Sequence, residues 1–313
     1  MKYLPYVLLI LGSIVFNGRA TFALDKNPGV IQVLHPEDFD RVLAISDVHG
    51  MYQNLIPLLQ AAKVIDTQRK WMGAKTLLLV VGDSVDKGSQ SVEVIDLWMT
   101  LQDQAPTTGG MLIHLLGNHE AEFLANPHNK KAETFLDELQ KRSIGLDQFT
   151  DPQYPRANFL RMMPIAARIG NWLFAHSGYL NESDLAKFIS NATNTLDAGK
   201  YGDSFVVGDD SILEAKKWET DPKLHKAVIS RLNHNGLRGI IFGHQPKALH
   251  IEGACGISTD HRLVKIDNGM APEAGSHVGS ILNISFPTDL TTQSDPRMNV
   301  ILPSGKMTEL VSE

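Results

Sequence analysis

Apolar residues along this chain gather in short runs, each closed by a small or polar residue. RVLAIS (41–46), TLLLVVG (76–82), MLIHLL (111–116), NWLFAHS (171–177), GIIFGH (239–244) and LVKID (263–267) are such runs. Their length and their Gly, Asn and Asp boundaries predict buried strands. Between the first of them, NLIPLLQAAKVI (54–65) and SVEVIDLWMTLQ (91–102) repeat apolar residues at spacings of three and four, which predicts amphipathic helices. Strand and helix in alternation predict an α/β fold. Beyond residue 276 the pattern changes. HVGSILNISF, MNVILP and KMTELV predict strands joined by Pro, Gly and Ser turns. Residues 121–160 and 180–235 are polar with helical stretches, and read as excursions that shape a substrate cleft. There is no internal repeat.

The N-terminus carries a different pattern. Lys2 precedes an almost wholly apolar stretch from Leu4 to Phe16, and ATFA (20–23) supplies small residues for cleavage. This predicts a secretory signal peptide over 1–23, a mature chain of 24–313 forming one catalytic domain, and export to a periplasm, the medium or a secretory lumen. The run is short for a membrane span, so none is expected after cleavage. Cleavage removes Lys2 and Arg19 and no acid, taking the formal charge from −6 to −8. Acidity of that size argues against a nucleic-acid partner. Hydrophobic residues make up 43% of the chain, enough for a sizeable core. Cys255 is the only cysteine, so no intrachain disulfide can help hold it.

The chemistry clusters where the strands end. RVLAIS leads into Asp47 and His49, TLLLVVG into Asp83 and Asp86, MLIHLL into Gly117-Asn118-His119-Glu120, WLFA into His176, and GIIFG into His244. Open α/β sheets bind ligands beyond the carboxyl ends of their strands, so five such ends predict one convergent site. The donors are carboxylate, imidazole and amide, with no thiolate. That set suits Mn, Fe or Zn in a catalytic role better than a structural zinc. There are too many donors for one tetrahedral ion, whereas two ions sharing one carboxylate would use them all. A pair of ions about 3.5–4 Å apart can clamp a phosphoryl group and generate hydroxide at neutral pH.

Taken in order, Asp47-Val48-His49-Gly50, Gly82-Asp83-Ser84-Val85-Asp86-Lys87-Gly88, Gly117-Asn118-His119-Glu120, His176-Ser177-Gly178 and Gly243-His244 resemble the phosphoprotein phosphatase branch of the calcineurin-like metallophosphoesterases. LVKIDNGMA (263–271) extends the likeness towards the Shewanella-like protein phosphatases. The resemblance implies a four-layer fold, a β-sandwich flanked by helices. It implies a first metal held by Asp47, His49 and Asp83, and a second held by Asp83, Asn118, His176 and His244. It makes His119 the general acid and Asp86 its hydrogen-bonding partner, and leaves Glu120 to fix the loop. The chain departs from the family in three places. Lys87 stands where the motif has Arg, Lys216 in SILEAK is the best match to a second family Arg, and Ser177 replaces a Gly. Lysine offers a point charge where arginine offers a two-pronged fork.

The resulting expectation is an exported dinuclear phosphatase, with manganese, iron or zinc as its two ions. A metal-bridging hydroxide attacks phosphorus in line, Lys87 and Lys216 hold the phosphoryl oxygens, and His119 protonates the leaving group. The expected partner is a protein or peptide phosphorylated on Ser, Thr or Tyr. Hydrolysis of a small phosphoester or dinucleoside polyphosphate is the alternative within enzymes. A metal-binding pseudophosphatase is the alternative outside them, and would be expected to lose a ligand or the His119–Asp86 pair. Oligomeric state is not encoded in any of these patterns.

Overall fold

The computed structural model describes residues 26–287 and 295–313, with the backbone of Ser13–Val15. The signal-peptide expectation for 1–23 therefore lies outside the described residues, save for that three-residue backbone. No helix among the described residues is long and apolar enough to cross a membrane.

The strands in chain order are β1 (Ser13–Val15), β2 (Val30–Val33), β3 (Arg41–Ile45), β4 (Thr76–Val81), β5 (Met111–Leu115), β6 (Ala166–Ile169), β7 (Trp172–Ala175), β8 (Gly239–Phe242), β9 (Gly256–Ile257), β10 (Leu263–Lys265), β11 (Ile281–Ser285), β12 (Arg297–Ile301), β13 (Met307–Thr308) and β14 (Val311–Ser312). They form two sheets. One runs β13-β12-β11-β3-β4-β5, with β3, β4 and β5 parallel. The other runs β1-β2-β6-β7-β8-β10-β9-β14, with β7, β8 and β10 parallel.

Alternation along each strand builds the layers. Val42, Ala44, Leu77, Leu79 and Val81 of the first sheet join Phe174, Ile241 and Val264 of the second in one buried cluster, the filling of the sandwich. Their neighbours Leu43, Ile45, Leu78, Val80, Leu173, Ile240 and Phe242 face outward into a second cluster shared with the helices. The central strands are thus covered on both faces, which is why they read as unbroken apolar runs. The covering helices are α1 (Tyr52–Ala61), α2 (Ser91–Gln104), α3 (Asn118–Ala125), α4 (Glu133–Lys141), α5 (Asp147–Thr150), α6 (Pro155–Arg161), α7 (Leu185–Asp197), α8 (Ser204–Val207) and α9 (Pro222–His234). Asp184 and Asp221 cap α7 and α9, each accepting two backbone N–H groups of the first turn.

Three expectations shift. The helix expected over 54–65 spans 52–61, because Lys63 turns the chain at φ +54°. KMTELV is two short strands in different sheets, β13 pairing with β12 and β14 with β9, so the chain changes sheets at Glu309 and Leu310. β2 and β6 were not expected; VIQV and AARI are short and each carries a polar residue.

A buried polar chain underlies the loop after β4. Trp98 Nε1–H donates to Ser84 Oγ at 2.9 Å, Ser84 meets His114 Nε2 at 2.7 Å, and His114 Nδ1–H donates to the Leu115 carbonyl at 2.9 Å. Burial pushes His114 down to about 3 from 6.5, so the folded ring is neutral. In the unfolded chain the ring takes up a proton as pH falls through 6.5, and in the folded chain it does not until about 3. Stability is therefore complete above pH 6.5 and declines below it, by roughly 1.4 kcal/mol per pH unit from this group. Urea unfolding of the metal-free protein between pH 7 and 5 should show a slope that falls by that amount in a His114→Gln variant. A His114→Gln variant with the same slope would refute the assignment.

Candidate active site

The loops that follow β3 and β4 are laced together by backbone. Asp47 N–H donates to the Gly82 carbonyl at 3.1 Å, His49 N–H to Asp83 at 2.9 Å, and Gly50 N–H to Ser84 at 2.8 Å. Glu120, fully buried in the first turn of α3, accepts N–H groups from Asp83, Ser84, Val85 and Gly117 at 2.7–3.0 Å. One carboxylate thus fixes the β4 loop against the β5 loop, and Glu120 is structural. Six site residues, Asp47, His49, Asp83, Asp86, Lys87 and His244, hold left-handed φ between +47° and +66°. This conformation is costly for side chains other than Gly and clusters at functional sites. Gly82 is required where it stands. Its φ is +81°, and a Cβ there would come within 2.7 Å of both Gly117 Cα and His176 Nδ1.

Asp83 is the centre. Its Oδ2 lies 3.1 Å from His176 Nε2, 3.5 Å from His49 Nε2 and 4.0 Å from His119 Nε2, and its Oδ1 accepts the His119 N–H at 3.1 Å. Each imidazole spends its other nitrogen on a fixed acceptor. His49 Nδ1–H meets the Val85 carbonyl at 3.1 Å, and His176 Nδ1–H the Val81 carbonyl at 2.9 Å. His119 Nδ1–H lies between Asp86 Oδ2 at 3.0 Å and the Lys131 carbonyl at 2.7 Å. His244 Nε2–H meets the Glu214 carbonyl at 3.1 Å, leaving Nδ1 free. Such outer hydrogen bonds set the tautomer and aim of a metal-ligating ring.

Asn118 Oδ1 lies 2.9 Å from His176 Nε2, while its Nδ2 donates to Glu214 Oε1 at 3.1 Å. Asp47 accepts from Ser46 Oγ and from the His244 N–H, and its Oδ1 stands 3.8 Å from His49 Nε2. Asp47, Asp83 and Asn118 come from one sheet, His176 and His244 from the other.

Burial shapes the charges. It depresses His49 and His244 well below the usual imidazole range, Lys87 adding to the effect on His49 and His176 to that on His244. Burial also opposes charge on His176, yet the carboxylates of Asp83 and Asp47 outweigh it and raise that ring to about 10. Asp83 is buried too, but its histidine neighbours hold it well below the ordinary carboxylate range. His119 is raised, because Asp83 and Asp86 outweigh its burial.

The donor set fits divalent cations. Donor-to-donor spacings of 3.1–4.0 Å around Asp83 Oδ2 are those that bonds of about 2 Å to a shared ion require. Among the described residues two groups converge tightly enough, His49 with Asp83 and His119, and Asp83 with His176 and His244. The first group includes His119, expected as the acid, and not Asp47, whose Oδ1 stands 3.8 Å from His49 Nε2. Lys87 Nζ is 3.0 Å from His49 Nε2. Lys216 is exposed in the loop before α9, close enough for its charge to add to the depression of His244.

Two residues of the site were not anticipated. Glu214, 8% exposed, sits two positions from Lys216. Lys131, on the excursion after α3, ion-pairs with Glu214 and, at 3.2 Å, with Glu122. Both lie in polar stretches where one more charge carries no periodic signal.

Comparison with known proteins gives a consistent picture. Residues 40–248 match the family model described as calcineurin-like phosphoesterase. The chain is 22% identical over 298 residues to Shewanella-like protein phosphatase 2 of Arabidopsis thaliana, covering 78% of this chain and 75% of that protein. It is 26% identical over 219 residues to a symmetrical bis(5'-nucleosyl)-tetraphosphatase of Shewanella frigidimarina, covering 67% and 68%. Among solved structures, the cold-active protein-tyrosine phosphatase of a psychrophilic Shewanella species superposes with a TM-score of 0.70 at 20% identity, over 91% of this chain and 83% of that one.

Proposed function

The chain belongs to the calcineurin-like phosphoesterases, and from that premise we propose that it is an exported, dinuclear phosphoprotein phosphatase. The observation that carries this reading is Asp83 Oδ2, ringed by the Nε2 atoms of His49, His119 and His176. Asp47, His49 and Asp83 would hold one ion, and Asp83, Asn118, His176 and His244 the other. Manganese, iron and zinc all suit these donors. Bound there, the ions supply Lewis-acid polarisation of a phosphoryl group and a lowered pKa for attacking water.

The chain's own residues do the rest. Lys87 offers a cation to the phosphoryl oxygens beside His49, and Lys216, exposed in the loop before α9, offers a second on the side of His244. His119 keeps its Nδ1–H on Asp86 and turns Nε2 towards the centre. In its raised, protonated state it can deliver the Nε2 proton to a departing alkoxide or phenoxide. Likeness to a protein phosphatase over most of the chain supports a phosphorylated Ser, Thr or Tyr peptide as substrate. The likeness to a dinucleoside tetraphosphatase favours a second reading, hydrolysis of dinucleoside polyphosphates.

A panel decides between them. The chain starting at Leu24, the N-terminus that mass spectrometry of the exported protein should find, is assayed with Mn, Zn, Mg and Fe. Substrates are phosphoserine, phosphothreonine and phosphotyrosine peptides and diadenosine tetraphosphate. Peptide turnover with the larger kcat/KM is expected. Turnover of the dinucleotide alone would install the second reading. Two bound ions with no turnover on any phosphoester would make the protein a pseudophosphatase.

A further inference from the structure

Asn118 has a property that the carboxylate and imidazole donors around it lack. Its amide has two ends of similar shape, and only the oxygen can face a cation. A half-turn about the last side-chain bond would present N–H groups instead. One contact decides the orientation. Asn118 Nδ2 lies 3.1 Å from Glu214 Oε1, and that oxygen also accepts from the Lys131 ammonium, so it stands as an acceptor towards the amide. The amide must therefore turn its nitrogen to Glu214 and its oxygen to the centre. The same residue acts a second time through its backbone, the Glu214 carbonyl standing 3.1 Å from His244 Nε2 and so assigning that ring's proton and freeing Nδ1. Glu214 itself is held. It is buried, the N–H groups of Leu213 and Glu214 meet Ser211 Oγ at 3.2–3.3 Å, and Lys131 pairs with its carboxylate. The Lys131 ammonium also offsets the charge that a bare carboxylate would add behind the ligands.

We propose that Glu214 is the positioning residue of the second cation position. Its side chain orients Asn118 and its backbone orients His244, while the first position, at Asp47 and His49, does not depend on it. The proposal rests on the dinuclear reading above. Outer hydrogen-bond partners of this kind typically contribute 10–100-fold to metal affinity.

The test is a metal titration of the metal-free full chain, using Mn or Zn buffered by a chelator and counting ions per chain, with no substrate present. Wild type should take up two ions. In Glu214→Leu the second equivalent should need roughly 10–100-fold more free metal, with the first unmoved. Glu214→Asp withdraws the carboxylate by one methylene and should show a partial loss of the same equivalent, so the proposal remains testable if the Leu variant does not fold. Glu214→Gln can still turn an oxygen to Asn118 and should bind both ions much as wild type does. Two ions in wild type with unchanged binding in the Asp and Leu variants would overturn the role of Glu214 and leave the dinuclear reading standing. Equal weakening of both equivalents would mean general damage and would also overturn it. A wild type that binds a single ion would overturn both.

Discussion

Asp83→Asn is expected to eliminate nearly all turnover and to lower the bound metal. The substitution isolates charge. Asp83 holds a left-handed φ of +54°, a conformation that Asn adopts almost as readily, so the backbone should not object. Asn also matches the shape of Asp, and its amide oxygen can still accept the His119 N–H. What disappears is the negative charge 3.1 Å from His176 Nε2 and 3.5 Å from His49 Nε2, the charge around which both ligand groups are arranged. Lewis-acid assistance is worth several kcal/mol, so its loss predicts a fall in kcat/KM of roughly 10³-fold or more. Ion counting and kcat/KM on a phosphopeptide measure the two effects together. Two ions per chain with ordinary rates would remove Asp83 from the centre.

His119→Asn is the second large effect, and its size should depend on the leaving group. General acid catalysis typically contributes about 10²–10⁴-fold. A serine alkoxide is a poor leaving group and needs the proton, whereas nitrophenolate leaves without one. The loss should therefore be far greater on a phosphoserine peptide than on p-nitrophenyl phosphate. Asp86→Asn should give the same pattern more weakly. Its oxygen would still accept from His119 Nδ1, and the Lys131 carbonyl at 2.7 Å remains, but the charge that favours imidazolium is gone. Metal content decides the remaining question. His119 Nε2 stands 4.0 Å from Asp83 Oδ2, within reach of the first ligand group. Unchanged ion content with substrate-dependent losses assigns it as the acid. Loss of one ion with uniform losses makes it a ligand.

The central strands were legible in the sequence because both of their faces are buried. β4 is apolar at five of its six positions and could be read from composition alone. The same logic explains the misses. Gln32 interrupts β2 and Arg168 interrupts β6, so neither resembles a buried strand until its sheet is known. The chemistry was legible where it follows a strand directly, since the loop must place Asp83 or His176 at the end of the sheet whatever happens elsewhere. Glu214 and Lys131 obey no such local rule. They are 83 residues apart, on two helical excursions, and only the packing of those excursions brings them together. Glu214 stands two positions before Lys216 in SILEAK, and nothing in the spacing of that segment sets it apart. A buried carboxylate in a polar segment looks like a solvated one until its partners are seen.

The division of the site between two sheets also sets an order in time. The Asp47 carboxylate accepts the His244 N–H across 197 residues of sequence. The strand that carries Asp47 gains its other neighbour only when residues 281–285 have been made. Contacts so distant along the chain are slow to close, because the loop entropy is lost before the contact forms. A chain still emerging from the ribosome therefore lacks the Asp47–His244 contact until residue 244 has been made. On the proposed ligand set, any intermediate shorter than 244 residues would lack a ligand of the second position by connectivity alone.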